Sequence, residues 1–179
     1  MTEPGAGEVH PDLAGVGAEM RAEWRAETEA ETEDAAAAWR HSRTLSDWLD
    51  ERMHAGDRIA VVIGDQRFTG LVEETGDDLI ALRAFFGRVD IHLTGGLPLA
   101  IEMHDHATSG GERARARRNF HDALVARDGC DVTVGTIHEH EGLDGTLYVG
   151  ADFVSVLAKL GAETVVPLKY VTWVSVRRT

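Results

Sequence analysis

A glycine, a short apolar run, a second glycine, an aspartate and another apolar run occur twice in this chain. Residues 70–82 read GLVEETGDDLIAL and residues 145–157 read GTLYVGADFVSVL. The match extends beyond the two segments: Gly70 and Gly145 stand 75 positions apart, as do Leu93 and Leu168. Asp78 and Asp152 stand 74 apart, so the earlier segment holds one extra residue between its glycine and its aspartate. Such periodicity points to an internal duplication, with one supersecondary unit used twice. It limits the fold to something that two small, similar halves can build.

Each half reads as five short strands. RIAVVI places Ile59, Val61 and Ile63 on one face, and FTGLVEE, DLIALRAF, RVDIHL and LPLAIEM follow it. In the later half, DVTVGTI, LDGTLYV, DFVSVLAKL, TVVPLKYV and TWVSV take the same order. A helix precedes each set. Thr44 with Asp47 forms a capping signal, Leu45, Trp48, Leu49 and Met53 make one apolar face, and Gly56 ends the helix. GGERARARRNFHDALVARDG does the same before the second set, with Ala116, Phe120, Ala123 and Leu124 on one face and Gly129 at its end. Five short bent strands bury little as an open sheet, so closure into a small barrel is expected. Gly70 and Gly145 sit mid-strand, where a sharp bend or a close backbone approach asks for glycine.

Ahead of these units lies a different composition. Residues 1–17 lack periodicity and read as a disordered lead-in. Residues 18–41 are rich in Ala, Glu and Arg without Gly or Pro, and read as an acidic helix. The expected organisation is therefore α+β and mainly β. It comprises the lead-in, the acidic helix over 18–41, a helix plus first barrel over 42–103, a linker with an Arg-rich helix over 104–129, and a second barrel over 130–179.

A helix followed by five bent strands, with these glycines and aspartates across the second and third strands, resembles the Sm-like small barrel. Both halves are also similar to two-barrel proteins of GC-rich Gram-positive bacteria. The resemblance covers residues 42 to 176 and implies oligomeric rings that bind RNA. The chain departs from that pattern where Sm-type sites place a polar side chain two residues beyond the aspartate, because Ile80 and Val154 stand there. Pro167 and Pro98 each remove an N–H from a possible edge ladder. The barrels are thus expected to pack with each other or in a dimer.

Charge narrows the function further. The chain carries a net −13, of which −8 falls in residues 1–56, and only Lys159 and Lys169 are lysines. Nonspecific binding to nucleic acid needs clustered cations, so this balance opposes it. Arg113, Arg115, Arg117 and Arg118 are the one basic cluster, the phosphate-contacting edge of an RNA-binding alternative. Their competing role is to face Glu27, Glu29, Glu31, Glu33 and Asp34 of the acidic helix. His104 with His106, and His138 with His140, invite a metal-binding reading, but the pairs fall in expected loops and occupy unmatched positions in the two halves. Asp78 and Asp152 suit turn capping better than acid–base chemistry. No phosphate-cradling loop, nucleophile elbow or CxxC spacing is present, and Cys130 is the single cysteine. Catalysis, a cofactor and a small-molecule substrate are not expected, nor are a membrane span or a secretory leader, and a cytoplasmic location is. Trp24 and Trp39, large aromatics on a charged helix, are the expected partner-binding residues for a protein partner or a homodimer mate.

Overall fold

The computed structural model describes residues 11–94, 99–105, 118–138 and 142–177. The chain divides into two compact units, Met1–Arg43 and Thr44–Thr179. Within the first, α1 runs from Pro11 to Ser42. It begins inside the stretch expected as lead-in, on a proline whose fixed φ suits the first turn of a helix.

The second unit is mainly β. Helix α2 (Leu45–Ala55) opens it, and its capping box forms as expected. The Asp47 N–H donates to Thr44 Oγ1 at 3.1 Å and the Thr44 N–H to Asp47 Oδ2 at 3.0 Å. Gly56 ends the helix at φ 77°, a left-handed turn that a side chain would strain. Leu49 and Met53 are buried, while Trp48 is half-buried. Strands β1 (Arg58–Ile63), β2 (Gln66–Thr75), β3 (Leu79–Ala84), β4 (Gly87–His92) and β5 (Leu99–Asp105) follow. Helix α3 (Phe120–Val125) precedes β6 (Asp131–Thr136), β7 (Leu143–Val149), β8 (Phe153–Leu157), β9 (Glu163–Pro167) and β10 (Val171–Arg177).

These ten strands make one antiparallel sheet in the order β5-β1-β2-β3-β4-β10-β6-β7-β8-β9. Here the structure departs from the expectation of two closed barrels. The fourth strand of the first set does not return to its own fifth strand. It pairs with β10, the fifth strand of the second set, with Ile91 opposite Trp173 and Gly87 opposite Arg177. Once the two sets share that ladder, β4 and β10 have no edge left to close their own sets. The sheet stays open, with β5 and β9 at its ends.

The halves are locked by more than the ladder. Ile59, Val61 and Ile63 lie together in one apolar cluster, as their alternation implied, and that cluster also takes Trp173 from β10. A second cluster around Phe120, Leu124, Val134 and Leu147 takes Leu79 from β3. The Trp173 and Phe68 rings stand 4.9 Å apart between centroids. Each core therefore uses a residue from the other half.

Matched residues play matched local roles. A methyl group added at Gly70 would overlap the carbonyl oxygen of Arg83, and one at Gly145 that of Leu157. The expected close approach of backbone to backbone is thus the reason for both glycines. Gly76 donates to the Leu79 carbonyl and Gly150 to the Phe153 carbonyl, each at 2.9 Å. The carbonyls of Asp78 and Asp152 accept from the N–H groups of Leu93 and Leu168. The Asp78 side chain does something else, accepting from the Phe120 N–H at the start of α3 at 2.8 Å.

Candidate binding surfaces

Among the described side chains of helix α1, Trp24 is 74% exposed and Trp39 56%. At 3.6 residues per turn, Met20, Trp24 and Trp39 fall on one stripe about 100° wide, with the tryptophans about 22 Å apart along the axis. The Arg43 guanidinium sits 4.3 Å over the Trp39 ring. The acids do not share a stripe. Spacing of two residues alternates around a helix, so Glu27, Glu31 and Asp34 point one way and Glu29 and Glu33 the other.

Of the expected Arg-rich helix, the described residues hold α3 from Phe120 to Val125. Arg113, Arg115 and Arg117 lie outside the described residues. Arg118 precedes α3 without being helical, because Asn119 caps the helix by accepting from the Asp122 N–H at 2.7 Å. Arg118 Nε lies 3.5 Å from Glu74 Oε1 of β2, so its acidic neighbour comes from the sheet.

That glutamate belongs to a network the sequence did not announce as a unit. Arg88 on β4 donates to Glu74 and to Asp90, both at 2.7 Å, and lies 3.8 Å from Glu73. Arg83 reaches Glu73 at 3.1 Å, and Arg127 Nε lies 3.5 Å from Asp90 Oδ2. A cleft of about 230 Å³ opens beside them, lined by Glu73, Arg83, Arg88 and Arg127 with Val176 of β10. Glu73 stands in a β-bulge: the β2–β3 ladder passes from Val72 opposite Leu82 to Glu74 opposite Ala81, leaving Glu73 extra. β7 and β8 pair without such a shift. The residue that broke the 75-position spacing is thus the one that aims two glutamates at Arg88. Asp90 is completely buried, and burial raises its carboxyl above the usual range despite the opposing pull of Arg88 and Arg127. Burial pulls Arg88 down, but Asp90 and Glu74 outweigh it and raise the guanidinium overall.

His92 on the same strand was also missed. Its ring stacks on Phe120 at 4.4 Å, and Nδ1–H donates to the Val171 carbonyl at 3.0 Å. It therefore joins β4, α3 and the start of β10. Of the histidines considered for metal binding, His106 and His140 lie outside the described residues. His104 is an exposed residue of β5 rather than of a loop, because that strand runs on to Asp105. His138 follows β6, 6.0 Å from the Tyr170 ring. Among the described residues no three His, Cys, Asp or Glu side chains gather as a metal site. Cys130 is half-buried against the second apolar cluster.

The ends of the sheet form the remaining surface. A groove of about 300 Å³ between α2 and β5 is lined by Leu45, Trp48, Leu99 and Ile101. At the other end Phe153, Leu157, Leu160 and Val165 are exposed apolar residues on and around β8 and β9. No helix among the described residues is long and apolar enough to cross a membrane. Comparison of the chain with known protein families, with curated proteins and with solved structures finds no match.

Proposed function

We propose that the chain is a non-catalytic binding protein, a scaffold or regulator, in which a rigid sheet carries an acidic recruiting helix. The observation that carries this reading is the exposure of Trp24 and Trp39 on one stripe of α1. Large aromatic side chains that contribute nothing to a core are the groups that dominate binding energy once a partner covers them. The resemblance to a tandem Sm-like protein is supported by a helix before each five-strand set and by the matched glycines at 70 and 145. An RNA-binding role would instead draw on Arg113, Arg115, Arg117 and Arg118.

The test is capture of tagged chain from cells of its source, with and without RNase, beside the Trp24→Ala/Trp39→Ala double variant. Partners that survive RNase and are lost with the tryptophans are the expected result. Partners lost to RNase, or RNA as the main passenger, would replace this reading with the RNA-binding one.

A further inference from the structure

We propose that the cleft beside Arg88 binds a small carboxylate with an apolar body, held by the guanidiniums of Arg83, Arg88 and Arg127. This site is a different surface from the tryptophan stripe and stands independently of it. Arg127 is the unmet group. It follows α3 and lines the cleft, with its side chain only 26% exposed. Among the described residues its guanidinium makes no hydrogen bond: Nε is buried without a partner, 3.5 Å from Asp90 Oδ2. A desolvated donor left without an acceptor costs free energy that an anion in the cleft would return. Arg88, 16% exposed, adds to this. Its Nε and Nη2 donate to Asp90 and Glu74 at 2.7 Å, but Nη1 reaches only Glu73, at 3.8 Å, too far for a hydrogen bond.

The strands themselves do not ask for these arginines. Leu71 faces Arg83 and Arg83 faces Arg88, while Thr146 faces Leu157 and Leu157 faces Glu163. In the second half Leu157 and Glu163 thus hold the places of Arg83 and Arg88, and Val165 holds that of Asp90. The second half pairs the same strands with no guanidinium at these positions. Strand pairing therefore leaves the arginines of the first half unexplained, and a ligand explains them.

The lining sets the chemistry of that ligand. A guanidinium fork meets a carboxylate or a phosphate with two parallel hydrogen bonds. Glu73 decides between the two, because it lines the cleft as well and repels a dianion twice as strongly as a monoanion. The volume of about 230 Å³ is below that of a pocket for a drug-sized molecule, so the occupant is small. The rest of the lining is apolar: Ala84 and Val176, with Gly87 adding no side chain. The turn Phe85–Phe86 joins Ala84 to Gly87, and its two rings meet edge to face at 6.0 Å. Phe85 is 90% exposed and belongs to neither core, so the rim beside the guanidiniums is aromatic. A flat apolar body suits such a rim. Arg83 and Arg88 come from the first half, and Arg127 and Val176 from the second. A bound ligand therefore ties the halves together and stabilises the fold.

Isothermal titration calorimetry of the full chain with benzoate, with its uncharged counterpart benzamide, and with phenyl phosphate tests this. One benzoate per chain is expected to bind with a Kd of about 1 mM or tighter, phenyl phosphate more weakly and benzamide not at all. Benzoate should also raise the melting temperature. Arg127→Gln and Arg83→Gln should each weaken benzoate about tenfold or more, the loss of a charge-assisted pair. Arg67→Gln, whose guanidinium pairs with Glu102 and does not line the cleft, should bind benzoate like the wild type. Arg83 is 44% exposed, so its variant keeps the test readable if Arg127→Gln fails to fold. No benzoate bound at about 10 mM, benzamide bound as tightly, tighter binding of phenyl phosphate, or full binding by a folded Arg83→Gln chain would overturn the proposal.

Discussion

Asp90 concentrates the chemistry of the charged network in one side chain. Its carboxyl has no exposed surface and is pushed upward chiefly by desolvation, so ionising it costs more in the folded chain than in the unfolded one. The folded state then holds this proton more tightly, and its contribution to stability falls as pH rises through the folded value. Asparagine has no such proton. The Asp90→Asn variant should therefore gain stability relative to wild type as pH rises from about 4 toward neutrality. Urea unfolding of both proteins across that range checks it, and a gap that moves the other way would mean Arg88 and Arg127 outweigh the burial. The sequence showed an Asp two residues after an Arg in a strand of alternating character. Alternation placed Val89 and Ile91 inward, but Asp90 is buried as well, between Arg88 and Arg127 and opposite Val174 of β10.

At the scale of elements, local chemistry was the most legible. Thr44 and Asp47 marked the start of α2, Gly56 its end, and both signals act between residues close in sequence, where no tertiary contact is needed to complete them. Thr44→Ala should cost about 1 kcal/mol, because an orphan N–H of the first turn loses its acceptor. Chemical denaturation measures it directly, and an unchanged midpoint would show that packing of Leu49 and Met53 holds the helix without its cap. The element before the second set was less legible. Within the described residues α3 starts at Phe120, where Asn119 caps it and Asp78, forty-two positions away, accepts its first N–H. That long-range acceptor helps to fix where α3 starts, and no local pattern reports it.

For the whole molecule, the exchange of residues between cores sets the cooperativity. Trp173 sits in the cluster of the first half and Leu79 in that of the second, so neither half buries a complete core alone. Trp173→Ala should lower stability by about 3–5 kcal/mol, and the loss should appear in both halves. Native-state hydrogen exchange would show it as equal acceleration in β1–β3 and in β6–β8. Acceleration confined to one half would separate the two into independent folding units.

Sequence alone determined the number of strands, their order along the chain, the mid-strand glycines and the turns that Gly76 and Gly150 close. These depend on side-chain alternation and on backbone sterics, which act within a few residues. Tertiary structure decided which edge meets which. An unclosed β4 can pair with the last strand of its own set or with that of the other, and the hydrogen bonds are alike in either case. The choice falls to what the ladder brings with it: Trp173 against Phe68, His92 on Phe120, and Asp90 between Arg88 and Arg127. Apart from Arg88 and Asp90, which are two positions apart, those contacts join residues distant in sequence, and together they turn two expected barrels into one open ten-stranded sheet.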